Sequence, residues 1–274
     1  MSQVQISSLT NERVKAAVRL RDRRQRDRTG LTIVDGAREL RRAIESGVAV
    51  ETVFVAAGAM SSVDAEWIVA HLAGPGSPVA LTVSPAVLAK IAFGDRDQGV
   101  IAIVRMPSVA LDDLETPRDA LIVVTDSVEK PGNLGAILRT ADGAGADAVI
   151  VADPGTDPYN PNVIRASLGT IFGIPLAVAD PASVVAWLRS HRVRLVTAEV
   201  GAARLYTDTD LTGSIAIVVG SEARGLGPLW QTGERESVRI PMRGRADSLN
   251  VSVATAILLY EARRQRDARA LHGT

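Results

Sequence analysis

Ser248 and Asn250 sit in a short polar run between Ile240-Pro241-Met242 and an apolar stretch that lacks Gly and Pro. A buried strand-to-helix junction should be apolar. Two side chains able to bond a ligand or cap a helix therefore mark a candidate site, and such junctions are where α/β proteins build sites. Two further segments have the same character. Residues 129–140 carry Asn133, Gly135 and Arg139, and residues 220–226 carry Gly220, Glu222 and Gly225. Each follows an apolar, β-branched run, 121–124 and 215–219, that reads as a buried strand. Three polar, glycine-bearing loops at the C-terminal ends of parallel strands would converge at one edge of one sheet.

The elements that must hold these loops alternate between strand and helix. In the C-terminal part, strands are expected over 121–124, 148–151, 175–178, 194–198, 215–219 and 238–242. Helices are expected over 134–144, 161–171, 182–190 and 252–266, with a short one over 228–232. This order predicts a parallel sheet covered on both faces. The N-terminal part reads as a helix over 8–28, capped by Ser8 or Thr10, followed by a compact α/β alternation ending with a strand over 100–104. Between the two parts the chain turns acidic and proline-bearing. The reading is thus an N-terminal α/β domain over 1–106, a linker over 107–118 and a larger domain over 119–274. No dinucleotide fingerprint is present: Gly143-Ala144-Gly145-Ala146 ends a helix rather than opening one.

The three loops resemble, in order and spacing, the three signature motifs of the SpoU (TrmH-type) branch of the SPOUT RNA methyltransferases. Asn133, Gly135 and Arg139 match the first, Gly220, Glu222 and Gly225 the second, and 240–244 with 248–252 the third. The N-terminal part, with its Asp35-Gly36-Ala37-Arg38 turn, resembles the L30e-like RNA-binding domain that precedes many SpoU domains. The resemblance implies an α/β fold whose C-terminal parallel-sheet domain is tied in a deep trefoil knot, and a homodimer formed through that knotted domain. It implies transfer of a methyl group from S-adenosylmethionine to a ribose 2′-hydroxyl of RNA. By position, the donor would be bound by Gly220, Ile240, Leu249, Ala198 and Met242. The catalytic group would be Arg139, Asn133, Glu222, Ser248 and Asn250. A guanidinium stays protonated, so Arg139 would hold a phosphate and stabilise developing alkoxide charge rather than act as a base. Plainer readings exist for single residues: Asn133 as a helix cap, Arg139 as a surface residue, Glu222 as a loop charge.

RNA contacts would come from Arg165, Arg23, Arg24 and Arg38. Residues 11–28 hold eight basic side chains against three acidic ones, either a solvated helix face or a phosphate-contacting surface. An N-terminal L30e-like domain leans the expectation towards 23S rRNA, and some relatives of this architecture confer antibiotic resistance by methylating the ribosomal drug site. A tRNA 2′-O-methyltransferase, or a non-catalytic RNA-binding or assembly protein that kept the fold, are the alternatives.

Composition narrows the chemistry. Cys is absent, which removes disulfides, thiolate catalysis and zinc–thiolate sites. His71, His191 and His272 lie far apart, so no metal is expected. Aromatic residues are 3% of the chain, against a base-stacking recognition surface. Net charge is zero, which disfavours a nonspecific polyanion binder. Neither a signal peptide nor a membrane span is legible, and the expected location is cytoplasmic.

Overall fold

The computed structural model describes residues 5–56, 63–72, 78–93, 99–221, 223–231 and 233–272. The chain divides into two units, residues 1–107 with 159–173, and residues 108–158 with 174–274.

The first unit runs β1 (Gln5–Ile6), α1 (Glu12–Arg19), α2 (Arg23–Thr29), β2 (Leu31–Asp35), α3 (Ala37–Glu45), β3 (Val50–Ala56), α4 (Val63–His71), β4 (Val79–Val83), α5 (Pro85–Ile91) and β5 (Val100–Arg105). Its sheet has the order β1-β4-β3-β5-β2. The β1–β4 and β3–β4 pairs are parallel, whereas β5 lies antiparallel to β3 and β2. Phe54, Leu81, Ile91 and Ile101 fill the core beneath α1, whose Val14 and Ala17 are buried.

The single helix expected over 8–28 is two helices. Asn11, rather than Ser8 or Thr10, caps α1 through its side chain, and Asp22 caps α2 by accepting from Arg24 N–H. The break is stabilised from within: Arg26 is 1% exposed and donates to the carbonyls of Leu20 and Arg21 at 2.8 and 2.9 Å. Those are carbonyls that a helix end leaves without an intrahelical partner. Arg21 likewise donates to the Lys90 and Ala92 carbonyls. Two of the eight basic side chains in this stretch therefore hold the fold together.

Residues 159–173, which the sequence places inside one continuous C-terminal domain, belong to the first unit. Buried Thr32 donates to the Tyr159 carbonyl at 2.7 Å, and Arg42 donates to the Leu168 carbonyl at 2.8 Å. Gly169 has φ +82°, and a Cβ there would stand 2.9 Å from Glu39 Cα, so both backbone conformation and close approach require glycine. The helix expected over 161–171 stops early for this reason. It is α7 (Pro161–Ala166), then a left-handed pair at Leu168 and Gly169, then a 3₁₀ turn over Thr170–Phe172.

The second unit contains β6 (Leu121–Asp126), α6 (Pro131–Gly143), β7 (Ala148–Ala152), β8 (Leu176–Ala179), α8 (Pro181–Ser190), β9 (Arg194–Ala198), β10 (Arg204–Leu205), β11 (Ile215–Val219), β12 (Glu236–Arg239) and α9 (Val251–His272). The sheet order is β10-β12-β9-β11-β6-β7-β8, and every recorded pairing is parallel. β6, β7 and β11 are buried at every position, as strands covered on both faces must be. Leu134, Ile137 and Leu138 of α6 and Leu258, Leu259 and Ala262 of α9 are buried where these two helices pack together. Full burial of such a Leu or Ile is worth about 2 kcal/mol.

The last strand ends earlier than expected. Pro241 cannot donate to a ladder, and β12 closes at Arg239. Ile240 and Met242 thereby leave the sheet and enter a long irregular segment that reaches Asn250.

Candidate active site

β6 and α6 position the first loop. β6 ends on Asp126, Ser127 turns with φ +54°, and α6 starts at Pro131, a favoured first helical residue. Asn133 therefore lies in the first turn of α6 rather than at its cap, which is Lys130. Arg139 is exposed on α6 and makes no side-chain hydrogen bond or ion pair among the described residues.

The third loop ends on Asn250, which caps α9. Asn250 Oδ1 accepts from Ser252 N–H at 2.9 Å and from Ser252 Oγ at 2.7 Å. With Oδ1 facing two donors, the amide nitrogen must face the other way, and Nδ2 donates to Asn133 Oδ1 at 3.1 Å. One side chain thus both starts the last helix and ties the third loop to the first.

The second loop is a tight turn closed on itself. Ser221 and Gly225 exchange backbone hydrogen bonds at 3.1 and 2.9 Å, and Arg224 N–H donates to Ser221 Oγ. Gly220 must be glycine because a Cβ would lie 2.3 Å from the carbonyl carbon and oxygen of Gly225. The close approach it permits is therefore to its own loop. Buried Asp126 accepts from Gly227 N–H at 2.7 Å, fixing this loop to the end of β6. Arg224 pairs with Glu129 at 3.6 Å between two exposed side chains, a link worth little by itself. Glu222 lies outside the described residues.

The second and third loops, with the end of β9 and the start of α9, line a cavity of about 480 Å³. Ala198, Gly220, Ile240, Met242 and Leu249 all line it, as does Ser248 at its exposed mouth. Asn133, Arg139 and Asn250 are not in its wall. The size suits one nucleoside-bearing small molecule. The wall also fits S-adenosylmethionine chemically. Residues 241–249 form neither helix nor strand, and their backbone groups make no hydrogen bond among the described residues. Main-chain donors and acceptors are thus available beside an apolar slot formed by Ile240, Met242 and Leu249, as a flat purine edge requires. Asp126 was missed at the sequence level because it bears no motif. Its one signal is a carboxylate closing an otherwise apolar strand.

In the first unit, Arg23 and Arg24 are exposed on α2, with Arg23 3.6 Å from Asp27. Arg38 is exposed on α3 beside Arg41 and Arg42. Arg165 differs from the expectation: it is half-buried and donates to the Phe93 carbonyl, so its guanidinium already serves the fold. Among the described residues no group of three or more His, Asp or Glu could hold a metal. None of the described helices is long and apolar enough to cross a membrane.

Residues 120–260 match the SpoU rRNA Methylase family, and residues 11–102 match the MRM3-like substrate binding domain. A Streptomyces viridochromogenes protein named 23S rRNA (uridine(2479)-2′-O)-methyltransferase is 34% identical over 90% of this chain and 87% of its own length. A solved structure described as an RNA 2′-O ribose methyltransferase is 42% identical, covers 96% of this chain and 99% of its own, and superposes with a TM-score of 0.84. The SpoU methyltransferase AviRb from Streptomyces viridochromogenes, solved with AdoMet, is 31% identical, covers 94% of this chain and 99% of its own, and gives a TM-score of 0.86.

Proposed function

This chain belongs to the SpoU rRNA methylase family, and on that premise we propose that it transfers a methyl group from S-adenosylmethionine to a ribose 2′-oxygen of 23S rRNA. One observation carries the reading. The second and third loops and the end of β9 line a cavity of about 480 Å³, and the Asn250–Asn133 hydrogen bond ties the first loop to the third.

When bound, the donor supplies an electrophilic methyl group on a sulfonium. The protein must then align the 2′-oxygen with it and stabilise the charge that develops as the hydroxyl proton leaves. Gly220, Ile240, Leu249, Ala198 and Met242 form the donor slot. Arg139, carrying a permanent charge and no protein partner among the described residues, is free to take a phosphate and the developing alkoxide. Asn133 is held by Asn250 and orients the ribose or Arg139, while Ser248 stands at the mouth of the donor cavity.

The first unit grips the RNA through its exposed Arg23, Arg24 and Arg38. The matched substrate-binding domain over 11–102 supports this. The choice of 23S rRNA rests on the printed name of the 34% identical relative. The enzyme acts in the cytoplasm, where that RNA is found. It acts as a homodimer through the knotted domain. The exposed apolar side chains of α9, Val253 at 46% and Tyr260 at 54%, support such a covered face.

The test is transfer of labelled methyl to 23S rRNA, free and in the large subunit, alongside 16S rRNA and tRNA. Label in 23S rRNA alone is expected. Label in tRNA alone would move the substrate to the alternative class, and no transfer to any RNA would leave a non-catalytic binding protein.

A further inference from the structure

Glu199 follows the last residue of β9 and lines the same cavity, although no motif points to it. Its two carboxylate oxygens differ. Oε1 accepts from Thr197 Oγ1 at 2.8 Å and Ser237 Oγ at 3.0 Å, and lies 3.5 Å from Arg235 Nε. Oε2 has no protein partner among the described residues. The side chain is 27% exposed, so its rotamer is held by packing and by three contacts to one oxygen.

Resting on the function proposed above, we propose that Glu199 Oε2 binds the ribose hydroxyls of the methyl donor. A carboxylate held through one oxygen presents the other as a fixed acceptor, and two vicinal hydroxyls are matching donors. A carboxylate near a strand end is a general solution for a nucleoside ribose. Arg235 beside Oε1 offsets part of the charge. Glu199 therefore suits a neutral diol better than the donor's ammonium group. The slot formed by Ile240, Met242 and Leu249 takes the flat base next to it.

The experiment is calorimetric titration of the full-length protein with S-adenosylhomocysteine and with its 2′,3′-dideoxy form. The wild type should prefer the diol at least tenfold. Glu199→Gln should lose that preference, binding both ligands with nearly equal, weak affinity. Ser237→Ala, which removes one bond to Oε1 and leaves Oε2, should keep the preference. A Glu199→Gln protein that weakens towards both ligands by the same factor, its preference intact, would overturn the assignment. So would a Ser237→Ala protein that loses the preference as Glu199→Gln does. Wild-type protein that binds neither ligand would instead remove the donor-binding reading on which this rests.

Discussion

Asn250 reaches back 117 residues to Asn133, donating from Nδ2 to Oδ1 at 3.1 Å while its own Oδ1 caps α9 through Ser252. The cap and the bridge use different atoms of one side chain, so they can be separated. Asn250→Asp keeps an oxygen for Ser252 and loses the donor to Asn133. Its stability should stay within about 0.5 kcal/mol of wild type, while methyl transfer falls at least tenfold. Asn250→Ala loses both functions and should cost about 1 kcal/mol in addition. Thermal melting beside a transfer assay checks the pair. Equal activity in wild type and Asn250→Asp would show the bridge to be idle.

Gly220→Ala places a methyl group 2.3 Å from the Gly225 backbone. The second loop must open to accept it, at about 1–3 kcal/mol. Because Gly220, Ser221 and Gly225 all line the cavity, donor affinity should drop at least tenfold in a titration with S-adenosylhomocysteine. Unchanged affinity would mean that the turn geometry does not shape the donor slot.

The sheet and its loops were largely legible before the structure, because buried parallel strands announce themselves as apolar, β-branched runs. β9 and β11 fall where the pattern places them, and the five expected donor residues share one cavity. What was hidden depends on partners far away in sequence. The split between α1 and α2 rests on Arg26 turning inward, and periodicity cannot distinguish that from a solvated arginine. The assignment of residues 159–173 to the first unit rests on Thr32, Arg42 and the close approach of Gly169 to Glu39. Asp126 and Glu199 acquire roles only from which groups the folded sheet edge brings beside them.

Glu39 offers a pH test within the first unit. It is 4% exposed, and its Oε2 has no hydrogen-bond partner among the described residues. Burial pushes its carboxyl above the ordinary value, against the opposing pull of its own backbone hydrogen bond and of Arg38. With the folded pKa raised, the carboxyl's contribution to stability is fully present below the unfolded pKa. It is lost as pH rises through the folded one. Glu39→Met removes the ionisable group with little change in length. Its stability relative to wild type should therefore improve between pH 4 and pH 8. Melting curves at the two pH values test this, and a pH-independent difference would contradict it.

Arg139 is exposed and makes no protein contact among the described residues, so Arg139→Ala should leave the melting temperature unchanged. Donor affinity should remain within about twofold, because Arg139 is not in the cavity wall. Loss of a positioned cation at a developing oxyanion costs about a hundredfold or more in rate. Transfer should fall by that factor, and Arg139→Lys should recover only part of it, since an ammonium lacks the two-pronged geometry of a guanidinium. A fall in donor affinity matching the fall in rate would remove Arg139 from the reacting centre.

The most direct measurement of the central claim is the chemical position of the transferred methyl group. Large-subunit RNA labelled by this protein from S-adenosylmethionine would be digested to nucleosides and separated by mass. The account predicts label in a single 2′-O-methylated nucleoside, and alkaline hydrolysis of the same 23S rRNA should leave that label in a resistant dinucleotide. Label on a base, or RNA left unlabelled by protein that binds the donor, would contradict it.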